Sequence, residues 1–324
     1  MKKKCLIMMA SYNGEKYISQ QIESIIDQDY ENWVLIIQDD ESTDNTVKII
    51  NEYVKKDNRI RLWKNKGKHG PYYNFHSLIN KCKDLDNYDY YMFSDHDDIW
   101  LPCKISKLIA FCENNNKCDM PTLAYADMKI IDGTGRITSE SVNALMGMKY
   151  SNSVSTFFTH NVFGCNALLN SSLFKVVPKV DVESDICKII SHDNYYTKFA
   201  AIMGKVMFLD NQLMLYRRYG GNVTAKHFYS YGIIKIINRI KDVDDLAKDH
   251  ALTYKQSIYT LNQLESLNLQ PHEQCVVNNI KMVLSKGGVS ALLFMIRNQV
   301  YCGKILKTIS RSMILLSGLY KKYL

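Results

Sequence analysis

The chain has 324 residues, 46% hydrophobic and 23% charged, and a formal net charge of +8. That length suits one large domain, or one domain with an appendage, and that composition suits an ordinary globular protein rather than a disordered or fibrous one. No apolar run reaches the roughly 18 residues of a membrane span, and "CLIMMA" behind Lys2–Lys4 is too short for a secretory leader, so a cytoplasmic location is expected.

The first 130 residues alternate between two periodicities. "KCLIMMA" is a short apolar run bounded by "SYNGE" and predicts a buried strand. Apolar residues at 18, 22, 25 and 26 predict a helix over 17–26. "WVLIIQ" is a second strand, ending at Asp39-Asp40, and Asp44 is placed to cap the helix that follows. "IRLW" is a third strand and "YYNFHSLINKC" a helix. "YDYYMFS" is a fourth strand, "PCKISKLIAFCENN" a helix with Pro102 in its first turn, and "TLAYADMKII" a fifth strand. Further on, "GCNALLN" predicts a strand, "HDNYYTKFAAIMG" a helix closed by Gly204, and "KVMFLDNQLMLYRR" two short strands. From about Phe228 the spacing is helical throughout, which places a boundary near 226: a domain over 1–226 and a basic helical region over 227–324.

Strands alternating with helices predict an α/β fold with a mostly parallel sheet, whose ligands bind beyond the carboxyl ends of the strands. The polar clusters sit at those ends: "SYNG", "DDESTD" and "SDHDD". Asp95, Asp97 and Asp98 repel one another unless a cation sits among them, and such oxygen-rich clusters suit Mg²⁺ or Mn²⁺ carrying a substrate phosphate. Asp98 by itself reads as a cap for the next helix. Asp39 or Asp40 can accept from a ribose or a base, while Ser42 and Asp44 shape the turn. There is neither a G-x-G-x-x-G nor a G-x-x-x-x-G-K-[ST], which disfavours nicotinamide chemistry and P-loop phosphoryl transfer. The nine cysteines show no C-x-x-C pair, so a zinc site or a disulfide framework is not indicated.

"ASYNGEKYISQQIESI", "IIQDDESTDNT", "FSDHDDIW", "GCNALLNSSLF…HDNYYTKFA" and "LYRRYGGNV" occur in one order over residues 5–223. In that combination the chain resembles the family 2 inverting glycosyltransferases of GT-A fold, and most of all their bacterial rhamnosyltransferase-like branch. The resemblance implies a nucleotide-sugar donor such as dTDP-rhamnose or a UDP-sugar, a glycan or lipid-linked acceptor in cell-surface polysaccharide synthesis, and Mg²⁺ or Mn²⁺. Residue by residue it implies that Ala10, Ser11, Tyr12 and Glu15 line the nucleotide pocket and that Asp39 or Asp40 meets the base or ribose. Asp95 and Asp97 would be the D-x-D pair, with Asp97 nearest the metal, and Asp193 the general base, although its position also suits a first-turn acid on its helix. Trp100 would lie beneath the sugar or, as the plainer expectation, pack the loop. Many relatives carry "Y-R-x-H-x-N-N", with a histidine that completes the metal shell; here that position is Tyr219. The metal would then keep a water, or Arg217 and Arg218 would help hold the diphosphate, with His160, His192 and His227 as substitute ligands. Two other readings compete: a sugar-nucleotidyltransferase, which would show a Gly-rich, Arg-containing loop after the first strand, and a non-catalytic nucleotide-sugar-binding or scaffold member.

From Lys281 onward there are eight Lys or Arg and no Asp or Glu. A basic end on a near-neutral body suggests an anionic surface as partner. With "VSALLFMI" and "MILLSGLY" in the same stretch, it predicts either peripheral contact with the inner face of an anionic membrane or self-association through the terminal helices; nucleic acid is not expected.

Overall fold

The computed structural model describes residues 2–116, 120–220 and 243–324. The first half contains β1 (Cys5–Ser11), α1 (Ile18–Ile26), β2 (Trp33–Asp39), α2 (Thr46–Lys56), β3 (Ile60–Lys64), α3 (Pro71–Cys82), β4 (Tyr90–Ser94), a two-residue β5 (Ile99–Trp100) and α4 (Lys104–Asn115). There follow β6 (Thr122–Ile131), β7 (Ile137–Ser139), α5 (Val142–Met146), β8 (Ala167–Asn170), α6 (Ser171–Val176), α7 (His192–Met203) and β9 (Lys205–Arg217). The C-terminal part is helical: α8 (Val243–Glu265), α9 (Pro271–Lys286), α10 (Gly288–Arg297) and α11 (Ile305–Ser317). The boundary expected near 226 lies outside the described residues, as do His227 and the end of "YRRYGGNV".

One sheet runs in the order β3-β2-β1-β4-β8-β6-β9-β5, with β7 on β6. β1 is parallel to both β2 and β4, and β6 is parallel to β9. β8 interrupts them, antiparallel to both β4 and β6, and the short β5 and β7 are antiparallel to β9 and β6. The central strands are buried on both faces, which is why β1 and β2 read as unbroken apolar runs. Their two-residue period divides the core. Leu6 and Met8 face α3, α7 and the C-terminal helices, while Cys5, Ile7 and Met9 face α1 and α4. Ala251, Tyr254, Leu261, Ile280 and Leu315 belong to the first of these clusters, so the C-terminal helices share a hydrophobic core with the sheet.

Two segments depart from the sequence reading. The two strands expected after Gly204 are one strand, β9, whose pairing with β6 jumps from Ala126↔Leu209 to Asp127↔Gln212; the interruption is a bulge. The strand expected over 164–170 starts only at Ala167, because Gly164–Asn166 form a 3₁₀ turn. That turn is fixed from outside: Asp193 takes the Gly164 amide at 3.0 Å and Lys104 donates to the Cys165 carbonyl at 2.5 Å.

Candidate active site

The carboxyl ends of β1 and β2 are joined by their loops. The Asn13 amide donates to Ser42 Oγ at 2.9 Å, the Gly14 amide to Thr46 Oγ1 at 2.7 Å, and the Asn45 amide to Glu15 Oε2 at 3.0 Å. Glu15 is thus engaged in fastening one loop to the next. Asp39 is engaged likewise: it takes the Ser11 hydroxyl at 3.1 Å and the Ser42 amide at 2.9 Å. Asp40, its neighbour, turns toward a large cleft. The Asn65 side chain at 2.6 Å, His69 Nδ1 at 3.0 Å and the Gly70 amide at 2.7 Å hold it there.

The cleft has a volume of about 1710 Å³. Ala10, Ser11, Tyr12 and Asp40 line one end, Asp95 and Asp97 its floor, and His160, Asp193, Arg218 and Tyr219 its other walls. Tyr12 is 54% exposed, an open aromatic face at that end. α8 and α11 close the far side with Leu246, Leu306, Ile309 and Met313.

The acidic cluster is bound more deeply than its sequence suggests. Asp98 does not cap α4. It is buried, accepts the Arg217 amide at 2.9 Å, and its Oδ2 has no hydrogen-bond partner among the described residues. Burial, followed by Asp97 and Asp95, lifts its carboxyl well above the usual carboxylate range. Burial, Asp97 and Asp193 push Asp95 up to about 7. Beneath them lies Lys104, fully buried, its ammonium over the Trp100 ring at 3.8 Å. Burial pulls this amine down to about 7, while Asp98 and Asp95 favour its charge. Trp100 is packing, as expected, and carries that buried cation.

This donor set fits a hard divalent ion. Asp95, Asp98 and the Cys165 thiol offer ligand atoms within 4.8 Å of one another, and Asp97 faces the same cleft. Burial and the neighbouring carboxylates raise the Cys165 thiol far above its ordinary value, and a hard ion prefers the carboxylate oxygens to a sulfur. The unpartnered Asp98 oxygen is a further sign that the cluster expects positive charge.

Arg217, expected near the donor, is a brace. It is 2% exposed, stacks on Tyr17 at 4.3 Å, and donates from Nε to the Asp97 carbonyl at 2.8 Å and from Nη2 to Gln20 at 2.6 Å. Its guanidinium holds the D-x-D loop from behind, and Arg218 is the one of the two that lines the cleft. His192 is packed among aromatic rings: it lies between Phe75, stacked at 4.0 Å, and Phe93, edge-on at 4.6 Å, and burial lowers it to about 4. Asp193 sits at the start of α7. It accepts the Gly164 amide, the Asn194 amide at 2.7 Å and His160 Nε2 at 3.2 Å. Burial would raise its carboxyl, but His160 and His192 outweigh that and hold it far below the usual range. The pairing with His160 had no signal in the sequence.

The glycosyl transferase family 2 model matches residues 6–177. The chain belongs to glycosyl transferase family 2. Its relatives in that family include the dTDP-rhamnosyl transferase RfbG of Shigella flexneri, 32% identical over 236 residues that cover 68% of this chain and 76% of that one. Among solved structures, S. aureus TarS in complex with UDP-GlcNAc matches with a TM-score of 0.54 at 15% identity, over 98% of this chain and 92% of that one. The mannosyltransferase PcManGT of Pyrobaculum calidifontis, solved with GDP-Man and Mn²⁺, matches with a TM-score of 0.51 at 14% identity, over 100% of this chain and 87% of that one. These two likenesses show the GT-A fold. Family 2 membership makes the chain a glycosyltransferase. The other two readings rank below it.

Proposed function

We propose that the chain moves a sugar from a nucleoside diphosphate donor, dTDP-rhamnose or a UDP-sugar, to a hydroxyl of a growing surface glycan, inverting the anomeric centre. The observation that carries this reading is that Asp95, Asp97 and Asp193 border one cleft whose other end is Ala10, Ser11, Tyr12 and Asp40. The nucleoside lies against Tyr12 with Asp40 on its base or ribose, and the diphosphate lies toward Asp95, Asp97 and Arg218. Asp95 and Asp97 would hold Mg²⁺ or Mn²⁺, which offsets charge growing on the departing phosphate. The acceptor hydroxyl approaches from the Asp193 side, opposite the diphosphate, and the Asp193 carboxylate balances the proton it gives up. A single in-line displacement through an oxocarbenium-like state inverts the configuration. Glu15 and Asp39 shape the loops, and Arg217 keeps the Asp97 backbone in place.

The terminal helices favour a second contact. α10 exposes Val289, Leu293 and Ile296, and α11 exposes Ile305, Ile309, Met313 and Leu316, of which Ile309 and Met313 also border the cleft. Each set recurs at helical spacing, in a stretch with eight cations and no anion. Among the described residues no helix is long and apolar enough to cross a membrane. We read these stripes as lying against the inner face of an anionic bilayer, with residues 227–324 as an appended region beside the donor-binding domain.

The test is incubation with a panel of dTDP-, UDP- and GDP-sugars with Mg²⁺ or Mn²⁺. Metal-dependent release of free nucleoside diphosphate is expected. Binding without release would leave a non-catalytic member, and, with pyrophosphate added, formation of nucleoside triphosphate and sugar 1-phosphate would point to nucleotidyl transfer.

A further inference from the structure

Asp193 is an unusual place to leave a proton. Oδ2 takes the Gly164 amide at 3.0 Å and His160 Nε2 at 3.2 Å, and Oδ1 takes the Asn194 amide at 2.7 Å. A carboxylate this well supplied with donors is a weak base. His160 is oriented from the same side. Its Nε2 also lies 2.6 Å from the Val162 carbonyl, which can only accept, so Nε2 carries a hydrogen and the ring gains or loses its second proton at Nδ1. The ring lines the cleft with its side chain 35% exposed, against 11% for Asp193. An imidazole whose inner N–H is held by a carbonyl with a carboxylate 3.2 Å away, and whose outer nitrogen takes up a proton, has the parts of a carboxylate–histidine pair that activates a hydroxyl.

We propose that His160 Nδ1 takes the proton of the acceptor hydroxyl, and that Asp193 orients the ring and balances the imidazolium. This deepens the glycosyl-transfer reading and rests on it. As the acceptor oxygen bonds to the anomeric carbon, its O–H bond breaks toward Nδ1. The bond from that carbon to the diphosphate oxygen breaks with its electron pair, which leaves on the nucleotide. Other charges face this pair. They are His192 and Lys198 on α7, Tyr72 and His76 on α3, Asp95 beyond β4, Asp249 and His250 on α8, and Arg311 on α11. Despite burial, Asp193 holds His160 above an ordinary histidine. The active, neutral ring is therefore the high-pH form, and turnover should climb as pH rises through that pKa.

The experiment measures hydrolysis of dTDP-rhamnose and of UDP-glucose, water serving as acceptor, over roughly pH 5 to 9. It compares wild type, His160→Gln and Asp193→Asn. His160→Gln is expected to keep the donor KM, lose about a hundredfold or more in kcat, and lose the rising limb. A His160→Gln enzyme with near-wild-type kcat and the same limb overturns the proposal. Nitrogen-15 NMR of the imidazole supplies a readout independent of turnover. The Nε2–H tautomer is expected, with a ring pKa that falls in Asp193→Asn; the Nδ1–H tautomer overturns the proposal even if activity is lost. A folded wild type that turns over no nucleotide sugar brings down the glycosyl-transfer reading itself, and this inference with it.

Discussion

The hydroxyl of Tyr219 is hydrogen-bonded to the carboxylate of Asp97. Burial, then Asp97, pushes this phenol well above an ordinary tyrosine, so it stays neutral and donates. Residue 219 thus faces the second Asp of the D-x-D pair, in the position where many relatives carry a histidine. A phenol in that place orients the carboxylate but adds no nitrogen ligand. Tyr219→His is expected to tighten Mn²⁺ binding by roughly tenfold in the presence of dTDP, with little change for Mg²⁺. Calorimetric titration of both proteins decides; an unchanged Mn²⁺ constant would remove residue 219 from the metal's surroundings.

Asp97→Asn and Asp193→Asn should fail differently. The first is expected to abolish transfer at any metal concentration while the protein stays folded. The second is expected to keep donor affinity and lower turnover by roughly a hundredfold or more. Thermal-shift titration with dTDP-sugar separates them, since a bound ligand raises apparent stability. Loss of donor affinity in Asp193→Asn would make that residue structural.

Gly147 and Gly303 meet backbone to backbone. Both have positive φ, +65° and +87°, and a Cβ on Gly303 would lie 1.8 Å from the Gly147 carbonyl oxygen. No side chain fits, so Gly303→Ala must part the segment before α11 from the end of α5. A stability loss of about 1–3 kcal/mol from the backbone conformation alone is expected, more with the clash, read as a lowered urea midpoint. A midpoint equal to wild type would show that this contact is dispensable.

His76 and His192 should make the fold sensitive to acid. Burial lowers each from 6.5 to about 4. Both rings are neutral in the native state and protonate in the unfolded chain first. Stability is therefore expected to be whole above about pH 6.5, to fall as pH drops from 6.5 to 4, and to lose nothing further from these rings below that. The loss is up to about 3 kcal/mol per ring. Thermal midpoints against pH for wild type and His76→Gln check it; parallel curves would mean that His76 titrates normally.

For the terminal helices, flotation with vesicles is the check. The chain is expected to rise with anionic vesicles and not with neutral ones, and Leu293→Glu with Ile309→Glu should abolish it. Binding that ignores both lipid charge and these changes would point to self-association instead.

Much of this architecture is legible in the sequence, for reasons that can be located. β1, β2 and β4 are buried on both faces, so each writes an unbroken apolar run, and the parallel topology then puts the loops after them at one edge. Asp40, Asp95 and Asp97 could be placed at one cleft from that alone, whereas Asp193 is placed there only by the family resemblance. What a side chain bonds to could not. Arg217 and Arg218 are adjacent and alike in sequence, yet Arg217 at the end of β9 braces the Asp97 loop and Arg218, just past it, lines the cleft. Glu15 and Asp39 looked like ligands because turn chemistry and binding chemistry use the same residues. The pairings of His160 and Lys104 gave no signal: their partners, Asp193 and the Cys165 carbonyl, lie 33 and 61 residues away, and only the folded chain brings them together.

The cleft draws its two ends from different stretches of the chain. The nucleotide end comes from the β1, β2 and β4 loops, inside the matched family region of residues 6–177, whereas Asp193 and the apolar walls of α8 and α11 come after it. On the proposed reading, the donor and the acceptor are chosen by separately heritable parts of one gene. A lineage could keep its activated sugar and change the glycan it extends by altering residues 243–324 alone, and a chimera exchanging that stretch with a relative would inherit its donor from one parent and its acceptor from the other.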